Sequence, residues 1–181
     1  MSRVVIVHGP IGSGKTKTCL ELAERARSNV AVAGIITTRV FERGEVVGYD
    51  CIDVSTGEAF PLVRLAREMD DPDWLPLYLE KFVFSTSGFR RGNEVLETSV
   101  SSLGSPRLIF VDEYGRLEAR GEGLLRGVEA ILDGLREFDV AVVTCRTNLL
   151  GHVEEMARGA GHQVYVRQPG DADTLWAWMN N

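Results

Sequence analysis

The chain has 181 residues, 44% hydrophobic and 25% charged, with a formal charge of -6. These values suit one well-cored globular domain spanning residues 1–181 and lack the basic footprint that a nucleic-acid backbone requires, so no nucleic-acid partner is expected. Met1-Ser2-Arg3 leads straight into apolar residues without a secretory stretch, and no run nears the ~20 residues of a bilayer span, so no membrane association is expected and the cytoplasm is the expected compartment.

The first predicted strand, Arg3 to His8, runs into the glycine-rich stretch His8 to Thr16, after which Cys19, Leu22, Ala23 and Ala26 recur at helical spacing. Strands follow at Val30 to Val40 and Val46 to Val54, separated by the hairpin turn Phe41 to Glu45. A second turn, Ser55-Thr56-Gly57-Glu58, precedes the apolar run Phe60 to Val63, and Asp70 to Pro76 reads as a loop or the start of a short helix. Further strands are expected at Arg107 to Val111, Val140 to Thr144 and Gln163 to Val166, with a helix carrying Leu124, Val128, Ile131 and Leu135 between the first two. Trp176 and Trp178 fall in a terminal helix and, like Trp74, are read as packing anchors. Cys19, Cys51 and Cys145 are odd in number and far apart, which argues for reduced core thiols, and His8, His152 and His162 share no ligand spacing.

Alternating strands and helices argue for an α/β layered fold, in which ligands sit at the carboxyl ends of parallel strands. Gly9-Pro10-Ile11-Gly12-Ser13-Gly14-Lys15-Thr16 occupies that place and fits the phosphate-loop pattern G-x-x-x-x-G-K-[ST], with a strand before it and a helix after it. Wrapping an anion in consecutive N–H groups demands backbone angles that a Cβ obstructs, and the first helical turn adds its own unpaired donors. Residues Gly9 to Thr16, with Lys17 behind them, are therefore the candidate nucleotide-binding set; Lys15 is expected to reach the β- and γ-phosphates and the Thr16 hydroxyl to ligate Mg²⁺. The apolar run Leu108 to Val111 ends in Asp112 and Glu113, which places one carboxylate to hold Mg²⁺ and the next to orient and deprotonate an attacking water. Strands also end in charge for solubility alone; the complete phosphate loop upstream is what favours the catalytic reading.

The succession GPIGSGKT, GIITTRVFERGEVVGYDCIDVSTGE, KFVFSTSGF and IFVDEYGRLE, spanning roughly Val4 to Thr144, resembles the thermostable nucleoside-triphosphatase family, small P-loop proteins named for hydrolysing nucleoside triphosphates. The resemblance implies a three-layer RecA-like P-loop fold, with a mainly parallel sheet and added antiparallel hairpin strands. It also implies dependence on Mg²⁺ and slow hydrolysis of ATP, GTP and other triphosphates with little preference among bases. Two departures stand out. The family's Asp-Glu-Ile-Gly is Asp112-Glu113-Tyr114-Gly115 here, and Val166 to Asp171 matches only loosely the Thr-x-x-Asn-Arg segment expected near the C-terminus.

Charge on a γ-phosphate transition state calls for a cation besides Lys15, and Arg39 and Arg146, each just past a strand end, are the candidates. Arg90-Arg91 reads as a helix-start charge pair; it is also the candidate lid of an alternative class, a small-molecule kinase that keeps water out and presents an acceptor pocket. A guanine-nucleotide switch is a third class, since Asp112 to Gly115 fits Asp-x-x-Gly, but no Asn-Lys-x-Asp is present to read guanine.

Overall fold

The computed structural model describes residues 1–66, 71–76, 81–101, 104, 106–170 and 172–179. In chain order the elements are β1 (Arg3–His8), α1 (Lys15–Ala26), β2 (Ala31–Glu42), β3 (Glu45–Asp53), β4 (Ala59–Leu65), β5 (Trp74–Pro76), β6 (Phe82–Ser85), α2 (Thr86–Ser101), β7 (Arg107–Tyr114), α3 (Leu125–Gly134), β8 (Val140–Cys145), α4 (Leu150–Gly159), β9 (Gln163–Arg167) and α5 (Ala172–Met179). The nine strands form one mixed sheet in the order β5-β6-β4-β3-β2-β7-β8-β1-β9. From β2 to β9 the pairing is parallel; from β2 outward to β5 it is antiparallel. This is the expected α/β arrangement of a parallel sheet extended by hairpin strands.

The central strands are apolar throughout because both faces are covered. Val4, Ile6, Ile109, Val111, Ala141 and Val143 face a core completed by Leu96 of α2, Val128 and Ile131 of α3, and Val153 of α4. The residues between them, Val5, Val7, Leu108, Phe110 and Val142, face the opposite core, closed by Cys19, Leu22 and Ala26 of α1 and by Leu175 of α5. The period-two alternation of a strand thus divides one apolar run between two cores. At the amino end of β7, the guanidinium of Arg107, 2% exposed, pairs with Asp139 and donates to the carbonyls of Ser99, Val100 and Gly134, tying α2 and α3 to the sheet.

β2 belongs to both halves. Its first residues, Ala31 to Ile35, pair parallel with β7, while Ile35 to Glu42 pair antiparallel with β3. At Gly34, φ is +96° and an added Cβ would lie 2.1 Å from the Phe110 carbonyl oxygen, so only glycine lets the strands approach there. The hairpin is tighter than expected from sequence: β2 extends to Glu42, and the turn is Arg43-Gly44, both at positive φ (48° and 84°), the conformation that matches strand twist.

The segment expected to be a loop or the start of a helix differs. Trp74–Pro76 is strand β5, pairing with β6 at the sheet edge, where Pro76 leaves no central ladder bond unmade; Asp70 lies outside the described residues. Arg90 and Arg91 lie within α2 rather than at its start, and Arg91 is engaged by Glu58 at 2.6 Å and stacks on Phe60. Trp176 and Trp178 do fall in a terminal helix, α5. All three cysteines are free and buried. His162 bonds Ser2 and the Leu132 carbonyl, and His8 contacts the Thr147 hydroxyl. Among the described residues no helix is long and apolar enough to cross a membrane.

Candidate functional site

β1 delivers the chain to the carboxyl edge of the sheet, where Gly9 to Gly14 turn it back into α1. Gly12 and Gly14 have φ of +79° and +93°, and Gly14 is the left-handed N-cap of α1, so the motif's glycines fall where a Cβ is disfavoured. An added Cβ on Gly9 would meet the Ser13 hydroxyl oxygen at 2.6 Å, which keeps the loop closed on itself. Lys15 is buried, and its ammonium donates to the carbonyls of Gly9 (3.0 Å) and Pro10 (2.9 Å), a hold that a phosphate would replace. The Ser13 hydroxyl is buried with no partner, a donor left over within the loop. Ile11 is exposed, and Lys17 points to solvent, 3.7 Å from Glu21.

β7 places its two acids beside this loop. Asp112, 1% exposed, accepts from the Thr16 hydroxyl (2.8 Å) and the Thr37 backbone N–H (3.2 Å) on Oδ2, and from the Thr144 hydroxyl (2.6 Å) on Oδ1. Burial outweighs those bonds and pushes its carboxyl up to about 6. The β7–β8 register shifts between Val111 and Tyr114, which releases Glu113 from the ladder. Glu113 has φ of +70°, uncommon for a residue with a Cβ, and its N–H donates to the Thr144 hydroxyl at 2.8 Å. One threonine therefore holds both acids: it donates to Asp112 and accepts from Glu113. Beyond them, buried Glu118 accepts from the N–H groups of Gly115 and Leu124 and fixes the loop that follows β7.

Two cavities meet at this edge. One, of about 350 Å³, follows Gly12 to Lys17 and is bounded by Arg39, Phe41 and Glu113. The other, of about 330 Å³, is bordered by Asp112, Glu113 and Arg146 and is largely apolar. Lys15, Thr37, Tyr49 and Glu113 border both. The structure thus brings Lys15, Thr16, Asp112 and Glu113 together and separates the two candidate arginines, Arg39 on the phosphate-loop side and Arg146 beside the second cavity. Thr37, Tyr49, Thr144 and Glu118 are not legible as site residues in the sequence; an isolated threonine or tyrosine in a β-rich run, or an acid in a loop, carries no signal of the partner that folding gives it.

The profile of the family described as NTPase matches residues 4–177. The chain belongs to this nucleoside-triphosphatase family. The nucleoside-triphosphatase THEP1 of Pyrobaculum islandicum is 40% identical over 158 residues, 87% of this chain and 80% of that protein. THEP1 of Archaeoglobus fulgidus is 26% identical over 82% of both chains. The match to THEP1 of Pyrobaculum aerophilum, at 41% identity, is local: it takes in 34% of this chain and 35% of that protein. Among solved structures, a human cancer-related nucleoside triphosphatase superposes with a TM-score of 0.71 over 98% of this chain and 95% of that one, at 24% identity. THEP1 from Aquifex aeolicus gives 0.68 over 99% of each, at 18% identity. These two likenesses establish the fold. As a member of the nucleoside-triphosphatase family the chain is an enzyme of the P-loop hydrolase class, acting on nucleoside triphosphates with a divalent metal in the general manner of that class.

Proposed function

We propose that the chain is a Mg²⁺-dependent hydrolase of ATP, GTP and other nucleoside triphosphates, with broad base tolerance, acting without nucleic acid and in the cytoplasm. The observation that carries this reading is the 2.8 Å hydrogen bond from the Thr16 hydroxyl to Asp112, which joins the phosphate loop to an acidic strand end with Glu113 one residue further on. Thr16 and Asp112 are hard oxygen donors side by side, and among the described residues no group of three or more His, Cys, Asp or Glu side chains forms a metal site. That suits Mg²⁺, which takes most of its ligands from phosphates and water. Thr16 and Asp112 would hold the ion, which would neutralise charge on the β- and γ-phosphate oxygens.

In this mechanism the loop N–H groups from Gly12 to Lys17 bind the phosphates, and the Lys15 ammonium exchanges the Gly9 and Pro10 carbonyls for β- and γ-oxygens. Glu113, its backbone N–H fixed at the bulge by the Thr144 hydroxyl, orients a water in line with the γ-phosphorus and accepts its proton. Arg39 or Arg146 supplies the additional positive charge as the γ-phosphoryl group transfers. Phosphate release measured with ATP, GTP, CTP and UTP in the presence and absence of Mg²⁺ tests the reading. Steady metal-dependent release from all four is expected; release confined to one base overturns the broad specificity, and release without metal overturns the role of Thr16 and Asp112.

A further inference from the structure

A hydrolase needs room beside its base for one water, whose share of liquid volume is about 30 Å³. The cavity on the far side of Glu113 is about 330 Å³, within the span of small-molecule sites, ~300–1,000 Å³. Asp112 and Glu118 give it polar spots, but its wall is largely apolar: Leu62 and Val63 of β4, Phe82 of β6, Phe89 of α2, and Leu117 and Leu124 of the loop after β7 line it. None of these lines the cavity along the phosphate loop, so phosphate binding does not account for them. The polar groups common to both cavities are Lys15, Thr37, Tyr49 and Glu113, so the apolar chamber adjoins the phosphate cavity at the groups where the reacting atoms would meet. Arg116 and Arg146 border the chamber as well, both exposed.

We propose that this chamber is an acceptor site for a small, largely apolar alcohol or phenol, whose hydroxyl lies beside Glu113 and takes the γ-phosphoryl group in place of water. The inference rests on the hydrolase reading, since it uses the same loop, metal and base. The acceptor oxygen forms the new bond to the γ-phosphorus as the bond from that phosphorus to the β,γ-bridging oxygen breaks. The hydroxyl proton passes to the Glu113 carboxylate, and the nucleoside diphosphate leaves with the bridging oxygen's electron pair. An apolar body in the chamber also displaces loosely held water from the attacking position, which favours transfer over hydrolysis.

The test incubates the full chain with Mg²⁺-ATP and benzyl alcohol or 4-methylphenol, with ethane-1,2-diol as a polar control, and follows phosphate ester and free phosphate by ³¹P NMR. The ester-to-phosphate ratio from the apolar acceptors should saturate with concentration and exceed that from the diol by roughly 10-fold or more. Leu117→Trp, which fills the chamber, should lower that ratio by a similar factor; because a ratio is read, a general loss of turnover does not imitate the result. Val63→Phe provides the same reading should Leu117→Trp fail to fold. Free phosphate as the sole product with every alcohol, equal ester from the diol, or a ratio unmoved by the filling variants overturns the acceptor site while leaving the hydrolase standing. Absence of phosphate release without any alcohol removes the hydrolase reading, and absence of ester as well removes this proposal with it.

Discussion

The parallel half of the sheet and its antiparallel wing solve different problems. In the parallel half the central strands β1, β7 and β8 are covered on both faces, so their middles are apolar, and the polar residues at their carboxyl ends gather at one edge. Lys15, Thr16, Asp112 and Thr144 all lie there. The wing, β3 to β6, contributes bulk instead: Tyr49, Leu62 and Phe82 wall the space beside the reactive edge without supplying a carboxylate to it. The proposed reacting groups Lys15, Thr16, Asp112 and Glu113 belong to the parallel half, and the wing supplies part of the wall around them.

The contrast predicts where a substitution is felt, beginning with stability. The Arg107–Asp139 pair is buried in the parallel half, so Arg107→Ala leaves an uncompensated charge and takes the guanidinium donor from three carbonyls, and should cost roughly 3–5 kcal/mol in denaturant unfolding. Thr144→Val keeps the volume but removes the donor to Asp112 and the acceptor for the Glu113 N–H; turnover should fall roughly 10²-fold, with about 1–3 kcal/mol lost from the fold. An equal turnover loss from Tyr49→Phe, in the wing, would break the division of labour.

One carboxyl in each region responds to pH with opposite sign. Asp112, raised to about 6 from an ordinary 3.8, stays protonated more readily in the folded chain. In metal-free protein the stability it contributes below pH ~4 is therefore lost as pH rises through about 6, and Asp112→Asn should flatten that decline in unfolding midpoints. Asp73, ahead of β5, is held below its ordinary range by the Ser85 and Ser87 hydroxyls, so its contribution is present above that range and lost as pH falls through the lowered value. The smallest effect expected is in the wing's own ion pair. Arg64 and Asp50 are only partly buried, and Arg64→Ala should cost about 1 kcal/mol or less with turnover unchanged.

What could be read from sequence follows the same division. The phosphate loop, the α1 stripe and the acids ending β7 are local patterns whose spacing alone dictates their geometry, and they fall where the pattern puts them. The wing depends on distant partners. Trp74–Pro76 becomes a strand only because β6 lies beside it. α2 carries Gly88, Gly92 and Asn93, poor helix formers, which bury against Pro61, Leu124 and the backbone around Gly123 and Gly127. Thr144 was legible as the end of a strand but not as the shared anchor of Asp112 and Glu113, because that role exists only once β8 sits beside β7 with a shifted register.

The most direct test of the account is Glu113→Gln, assayed for both Mg²⁺-ATP affinity and turnover. If Glu113 orients water, as proposed, rather than holding phosphate or metal, the affinity should stay within roughly twofold while kcat falls roughly 10²–10⁴-fold. Turnover retained in the variant, or affinity lost together with turnover, would contradict the placement of Glu113 as the base.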